Sequence, residues 1–151
     1  MRIEIVPHTA PQAADVGAFA WIALLNSMKR AGAPIPQIVD SDAFSTLWAQ
    51  GALVLAAAFD DDGKPVGCRV VAYTSHLLSS TVMVASGVLV FVSEPYRRRG
   101  IGGELVRVVN EYMTRDLNVW QLDEAATTVE AREMFNDIGY SMKAMLLTRT
   151  A

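Results

Sequence analysis

The chain has a single cysteine, Cys68, so no internal disulfide can form. Val66-Gly67-Cys68-Arg69-Val70 alternates as a strand, which makes Cys68 a packing residue rather than a nucleophile. Charge is sparse too: 19% of the 151 residues are charged and the net charge is −3, which argues against the broad basic surface that general nucleic-acid binding needs. No apolar run suits a membrane span. The longest uncharged stretches, around Gly51–Phe59 and Leu77–Ser93, are too short or too rich in Gly, Ser and Thr, and read as buried strands. Arg2 and Glu4 interrupt the start and no apolar core follows, so no secretory signal is expected and the expected location is the cytoplasm. There is no repeat, linker or low-complexity segment, and no metal site is expected. A dinucleotide fingerprint starting at Gly100 needs glycine where Leu105 stands, and a P-loop needs a Gly-Lys-Ser/Thr that never occurs.

What is present is concentrated in Tyr96-Arg97-Arg98-Arg99-Gly100-Ile101-Gly102-Gly103. An apolar run, Val88–Val92, precedes it, and a helix-period run of Ile101, Leu105, Val108, Val109 and Tyr112 follows. Strand, basic glycine-rich turn, helix start: such a turn leaves unpaired N–H groups at a helix N-terminus, where the dipole also favours negative charge. Glycines let a phosphate reach those amides, and arginines add forked donors. The pattern predicts a site for a phosphorylated ligand.

The length is that of one domain, and about half the residues are apolar, enough for a substantial core. Arg2–Val6 predicts a strand. Thr9 is the expected cap of a helix with Pro11 in its first turn, running to about Arg30 with Val16, Phe19, Ala20, Ile22, Ala23 and Met28 on its apolar face. Ser41 or Asp42 is expected to cap a short helix carrying Phe44, Leu47 and Trp48. Strands follow at Ala52–Phe59, Pro65–Thr74 and Thr81–Val92, the first two joined by a hairpin at Asp60–Lys64 with an Asp-Gly signal. Then come the turn, a helix to about Met113, a strand at Val119–Leu122, a helix at about Thr128–Asp137 and a last strand at Tyr140–Thr148.

Arg97-x-x-Gly100-x-Gly102 resembles the Q/R-x-x-G-x-G/A signature of the GNAT superfamily of N-acetyltransferases. Asp60–Gly67 resembles the family's "D-D-G-x-x-V-G" hairpin, Val92–Arg97 its "V-x-P-x-Y-R" with the proline displaced by one, and Ala131–Tyr140 its "A-x-x-L-Y-x-x-x-G-F". The similarity spans roughly Gly51 to Tyr140. It implies one domain over residues 1–151 with an α/β, α+β-type mixed sheet, mostly antiparallel, helices on both faces and two splayed middle strands. It also implies acetyl-coenzyme A as co-substrate and transfer to a primary amine of a small molecule or protein by direct attack in a ternary complex. The arm of the coenzyme would lie between Thr81–Val92 and Val119–Leu122. The residues implied to bind it are Val90, Phe91, Val92, Arg97, Arg98, Arg99, Gly100, Ile101, Gly102, Gly103, Thr128 and Phe135.

The catalytic groups depart from the pattern. Where many relatives have a tyrosine acid this chain has Phe135, which has no hydroxyl. The place of the usual strand carboxylate falls near Ser86, and Thr81–Val92 contains no acid. Asp123 and Glu124 end the neighbouring strand, and each reads more readily as a solvated strand end. His76 ends another strand and reads more readily as a surface group. Ser86, Asp123 and His76 are the candidates for catalysis. Gly87 marks either a bulge or a weak point. A non-catalytic acyl-coenzyme A binder and a transferase of another acyl group remain alternative readings. The acceptor pocket would draw on Trp21–Gln37, Phe44–Trp48, Tyr73–Ser80 and Tyr140–Met145. A homodimer through the Ala144–Leu147 edge is expected.

Overall fold

The computed structural model describes residues 1–36, 39–125 and 128–141. Among these residues five strands form one sheet in chain order: β1 (Arg2–Ile5), β2 (Leu53–Phe59), β3 (Pro65–Ser75), β4 (Met83–Val92) and β5 (Val119–Asp123). The first four pair antiparallel, and β4 and β5 pair parallel. A parallel neighbour needs a crossover, and α3 (Ile101–Asp116) supplies it. The remaining helices are α1 (Ala13–Arg30), α2 (Ser41–Ala49) and α4 (Val129–Asp137). The sheet is mixed and mostly antiparallel, as the sequence predicts.

The run Leu53–Phe59 is apolar at every position because both faces of β2 are covered. Leu55, Ala57 and Phe59 pack with Val16, Ala20, Phe44 and Trp48 under α1 and α2. Val54, Ala56 and Ala58 pack with Ile101, Leu105, Val109 and Met113 under α3. Helices therefore lie on both faces. Trp48, read above as a possible pocket residue, is core at 6% exposure, and its ring lies 3.2 Å from where a Cβ on Gly17 would be.

Several local expectations are corrected. Gln12, not Thr9, precedes the first turn of α1, because Pro7–Ala10 and Ala10–Ala13 close separate turns first. Asp40, not Ser41 or Asp42, caps α2: its carboxylate accepts the Asp42 N–H at 2.8 Å. Ile22 and Leu47 are exposed, since α1 and α2 each lay only a stripe on the sheet. The predicted last strand, beyond residue 141, and the Ala144–Leu147 edge lie outside the described residues, as does Gln37.

Candidate active site

The turn after β4 is built around left-handed backbone. Arg98 has φ 61° and Gly100 φ 76°, and between them the chain reverses into α3. The first helical bond there is Glu104 N–H to the Gly100 carbonyl, at 3.0 Å. The N–H groups of Ile101, Gly102 and Gly103 come before it and have no partner within the helix. A Cβ on Gly103 would meet nothing within 4 Å, so the space beside this residue is open. On Gly102 it would meet Met134 Sδ at 3.5 Å and the side chains of Val90 and Val92 at 3.7 and 3.9 Å, which packs this turn between β4 and α4. Arg97 Nε donates to the Val92 carbonyl at 2.9 Å and pins the turn to the strand end. Arg98 and Arg99 are exposed, the latter with its guanidinium carbon 5.4 Å from the Tyr96 ring centroid. This amide-rich, cationic turn fits a pyrophosphate.

Beside the turn, the edge of β4 that β5 does not cover forms one side of a slot. β4 and β5 are paired from Met83↔Val119 to Ser86↔Asp123, and there the pairing stops. Gly87–Val92 continues toward the turn without β5. A bulge sits at the same level: Val70 faces Leu89 while Val71 faces Gly87, leaving Val88 as the extra residue. Gly87 thus marks a bulge. It also marks a close approach, since a Cβ placed on it would overlap the Glu124 carboxylate.

Glu124 is the first residue beyond β5, and its carboxylate turns inward. Arg69 NH2 donates to Glu124 Oε1, and Arg69 NH1 reaches Oε2 at 3.3 Å and the Leu89 carbonyl at 3.5 Å. The side chains are 1% and 7% exposed. Burial lowers the Arg69 pKa to about 10, which still leaves a cation at neutral pH. Its Nε has no partner among the described residues. Phe135 of α4 closes the other side, with its ring centroid 6.0 Å from the guanidinium carbon and 5.1 Å from the Tyr140 ring.

Residues 50–142 match the family model described as "Acetyltransferase (GNAT) domain". The chain belongs to the GNAT family. No curated protein sequence matches it. Solved structures do share its fold. An aminoglycoside acetyltransferase from an uncultured soil metagenomic sample, in complex with sisomicin, superposes with a TM-score of 0.73 at 17% identity, over 99% of this chain and 94% of that one. Glucosamine-6-phosphate N-acetyltransferase from Arabidopsis thaliana gives 0.72 at 13% identity, over 99% of each chain. Ribosomal-protein-alanine N-acetyltransferase from Brucella melitensis biovar Abortus 2308 gives 0.67 at 17%, over 99% and 100%.

In this GNAT chain the candidate residues fall into distinct places. Ser86 and Asp123 meet as the last register pair at the apex of the slot. Both are exposed, and the Asp123 carboxylate accepts from the Gln121 amide. His76 lies beyond the opposite end of the β4–β5 pairing, edge-on to Trp120, with Nδ1 accepting the Leu78 N–H. Phe91 turns its ring to Phe19 on the α1 face, so its backbone alone faces the slot edge. The Val92 carbonyl is already engaged by Arg97. Thr128 caps α4, its Oγ1 accepting the Ala131 N–H at 3.1 Å. The reading of Glu124 as a solvated strand end is overturned by its burial against Arg69. Arg69 was not singled out, because alternation alone gives it the solvent side of a strand. The signal was a lone charge inside an apolar strand at the middle of a sheet covered on both faces.

Proposed function

We propose that this GNAT protein is an acetyl-coenzyme A-dependent N-acetyltransferase acting on a primary amine. The observation that supports this most is the continuity between the amides of Ile101–Gly103 and the β4 edge from Gly87 to Val92, neither of which has a backbone partner on that side among the described residues. Phosphates belong at the turn, and an extended arm can pair with the strand edge. The thioester then arrives near the bulge at Val88. The amine nitrogen attacks the carbonyl carbon, the C–N bond forms and the C–S bond breaks with its electron pair on sulfur. The surplus proton leaves nitrogen for solvent. A thioester is already reactive, so alignment supplies much of the rate. On this reading Val90, Phe91, Val92, Arg97, Arg98, Arg99, Gly100, Ile101, Gly102 and Gly103 remain the proposed coenzyme contacts, with Thr128 and Phe135 proposed beside them.

Phe135 supports a second reading. Without a hydroxyl at that place, the fold suits an acyl-coenzyme A binder that performs no transfer. Turnover of acetyl-coenzyme A with a panel of amines separates the two.

Gly102→Glu tests the coenzyme site itself. The added side chain starts against Met134, Val90 and Val92 and brings bulk and negative charge to the N-terminus of α3, and calorimetry is expected to show coenzyme A affinity reduced by tenfold or more, about 1.4 kcal/mol. Unchanged affinity would remove the central claim.

A further inference from the structure

We propose that Glu124, held by Arg69, closes the acyl end of the slot and restricts the donor to short, uncharged acyl groups. This rests on the acyl-coenzyme A reading above. With phosphates at the turn and the arm along the free edge of β4, the acyl group ends at the level where the β4–β5 pairing begins, beside Gly87. That space is already taken. The Glu124 carboxylate sits over Gly87 so closely that a single added carbon there would overlap it. A methyl beyond the thioester carbonyl is the least such an end admits, and each further methylene meets the carboxylate. A donor ending in its own carboxylate, such as malonyl- or succinyl-coenzyme A, meets like charge as well as bulk.

Behind Glu124 the chemistry has the opposite sign. Arg69 is buried to 1% exposure, and its Nε has no acceptor among the described residues. Its other nitrogens reach Glu124 and the Leu89 carbonyl. Removing the carboxylate therefore uncovers a cationic fork with unused donors at the end of the slot, a receptor for a distal carboxylate. Glu124 is then the residue that separates a neutral-acyl site from an anionic-acyl one.

The test compares acetyl-, butyryl- and succinyl-coenzyme A, by calorimetric affinity without acceptor and by kcat/KM with an amine that turns over. The parent is expected to favour acetyl over both others by about 10- to 100-fold, the range that one or two methylenes command in a closed pocket. In Glu124→Ala, succinyl-coenzyme A is expected to gain at least tenfold relative to acetyl. Arg69→Met/Glu124→Ala removes both charges, folds without an unpaired buried cation, and is expected to accept butyryl but not succinyl. A parent that binds acetyl- and succinyl-coenzyme A equally overturns the proposal. So does a double variant with the parent's acyl range. A parent that binds none of the thioesters overturns the acyl-coenzyme A reading itself and the proposal with it.

Discussion

Cys68 is the one thiol in the chain, and its position decides its chemistry. It lies in the middle of β3 with no exposed surface, and burial pushes its pKa from 9.0 to about 12. The thiolate is the reactive form, so the folded protein holds the thiol inert. A disulfide reagent at pH 8 is expected to label Cys68 only after unfolding; prompt labelling of the native protein would contradict the packing. The raised pKa also sets a sign for stability. This contribution is fully present below the unfolded thiol's pKa and is lost as pH climbs from there toward 12. Phe135 poses a different question. It is 7% exposed, and among the described residues its ring faces the Tyr140 ring and the Arg69 guanidinium. Phe135→Tyr would place a hydroxyl beside a group rich in donors. Acetyl transfer is expected to be unchanged or faster, with little change in melting temperature. A loss of about 1–3 kcal/mol, the cost of a buried hydroxyl without a partner, with no change in coenzyme A affinity would show Phe135 to be packing alone.

At the scale of elements, the sequence was most legible where one local rule suffices. The Asp60–Lys64 hairpin follows from Asp-Gly: Gly63 takes φ 78° and the Asp60 N–H closes on the Lys64 carbonyl at 3.0 Å. The turn at Arg97–Gly103 follows from its glycines, and the apolar run of β2 follows from two-sided burial, whereas the Leu77–Ser93 stretch, expected to be a buried strand, has Leu77 and Leu78 exposed and only Ala85 and Leu89 of β4 buried. Caps were legible only to within one to three residues: Thr9 gave way to Gln12, and Asp40, Ser41 and Asp42 are all able to cap, with the backbone conformation at Asp40 deciding. Asp40→Ala is accordingly expected to cost about 1 kcal/mol, read as a shift in the urea midpoint, while Ser41→Ala shifts it little. Equal effects at both positions would move the cap. The bulge at Val88 was half legible through Gly87. The Arg69–Glu124 pair was not legible at all, since its partners lie 55 positions apart. Alternation in β3 and the end of β5 each suggested a solvated side chain. Only the course of the chain just after the last β4–β5 pair brings the two together.

Across the whole molecule that pair does what backbone pairing no longer does. β1 to β4 form a continuous antiparallel ladder, whereas β5 joins it only between Met83 and Ser86. Beyond that point the sheet is open, and Arg69 on β3 reaches past Leu89 of β4 to Glu124 at the end of β5. A slot needs its two walls apart but fixed, and this ion pair fixes them where hydrogen bonding has stopped. Its energetics should be asymmetric. Taking two charges out of water costs about as much as their attraction returns, but removing one partner leaves the other buried and uncompensated. Glu124→Ala is therefore expected to lose about 3–5 kcal/mol in urea unfolding, and Arg69→Met a similar amount. Arg69→Met/Glu124→Leu replaces both with apolar groups of comparable size and is expected to lose less than the sum, by a coupling energy of about 1–3 kcal/mol. Strictly additive losses would mean that the two side chains act independently, and the slot's far wall would then have to be held by its backbone alone.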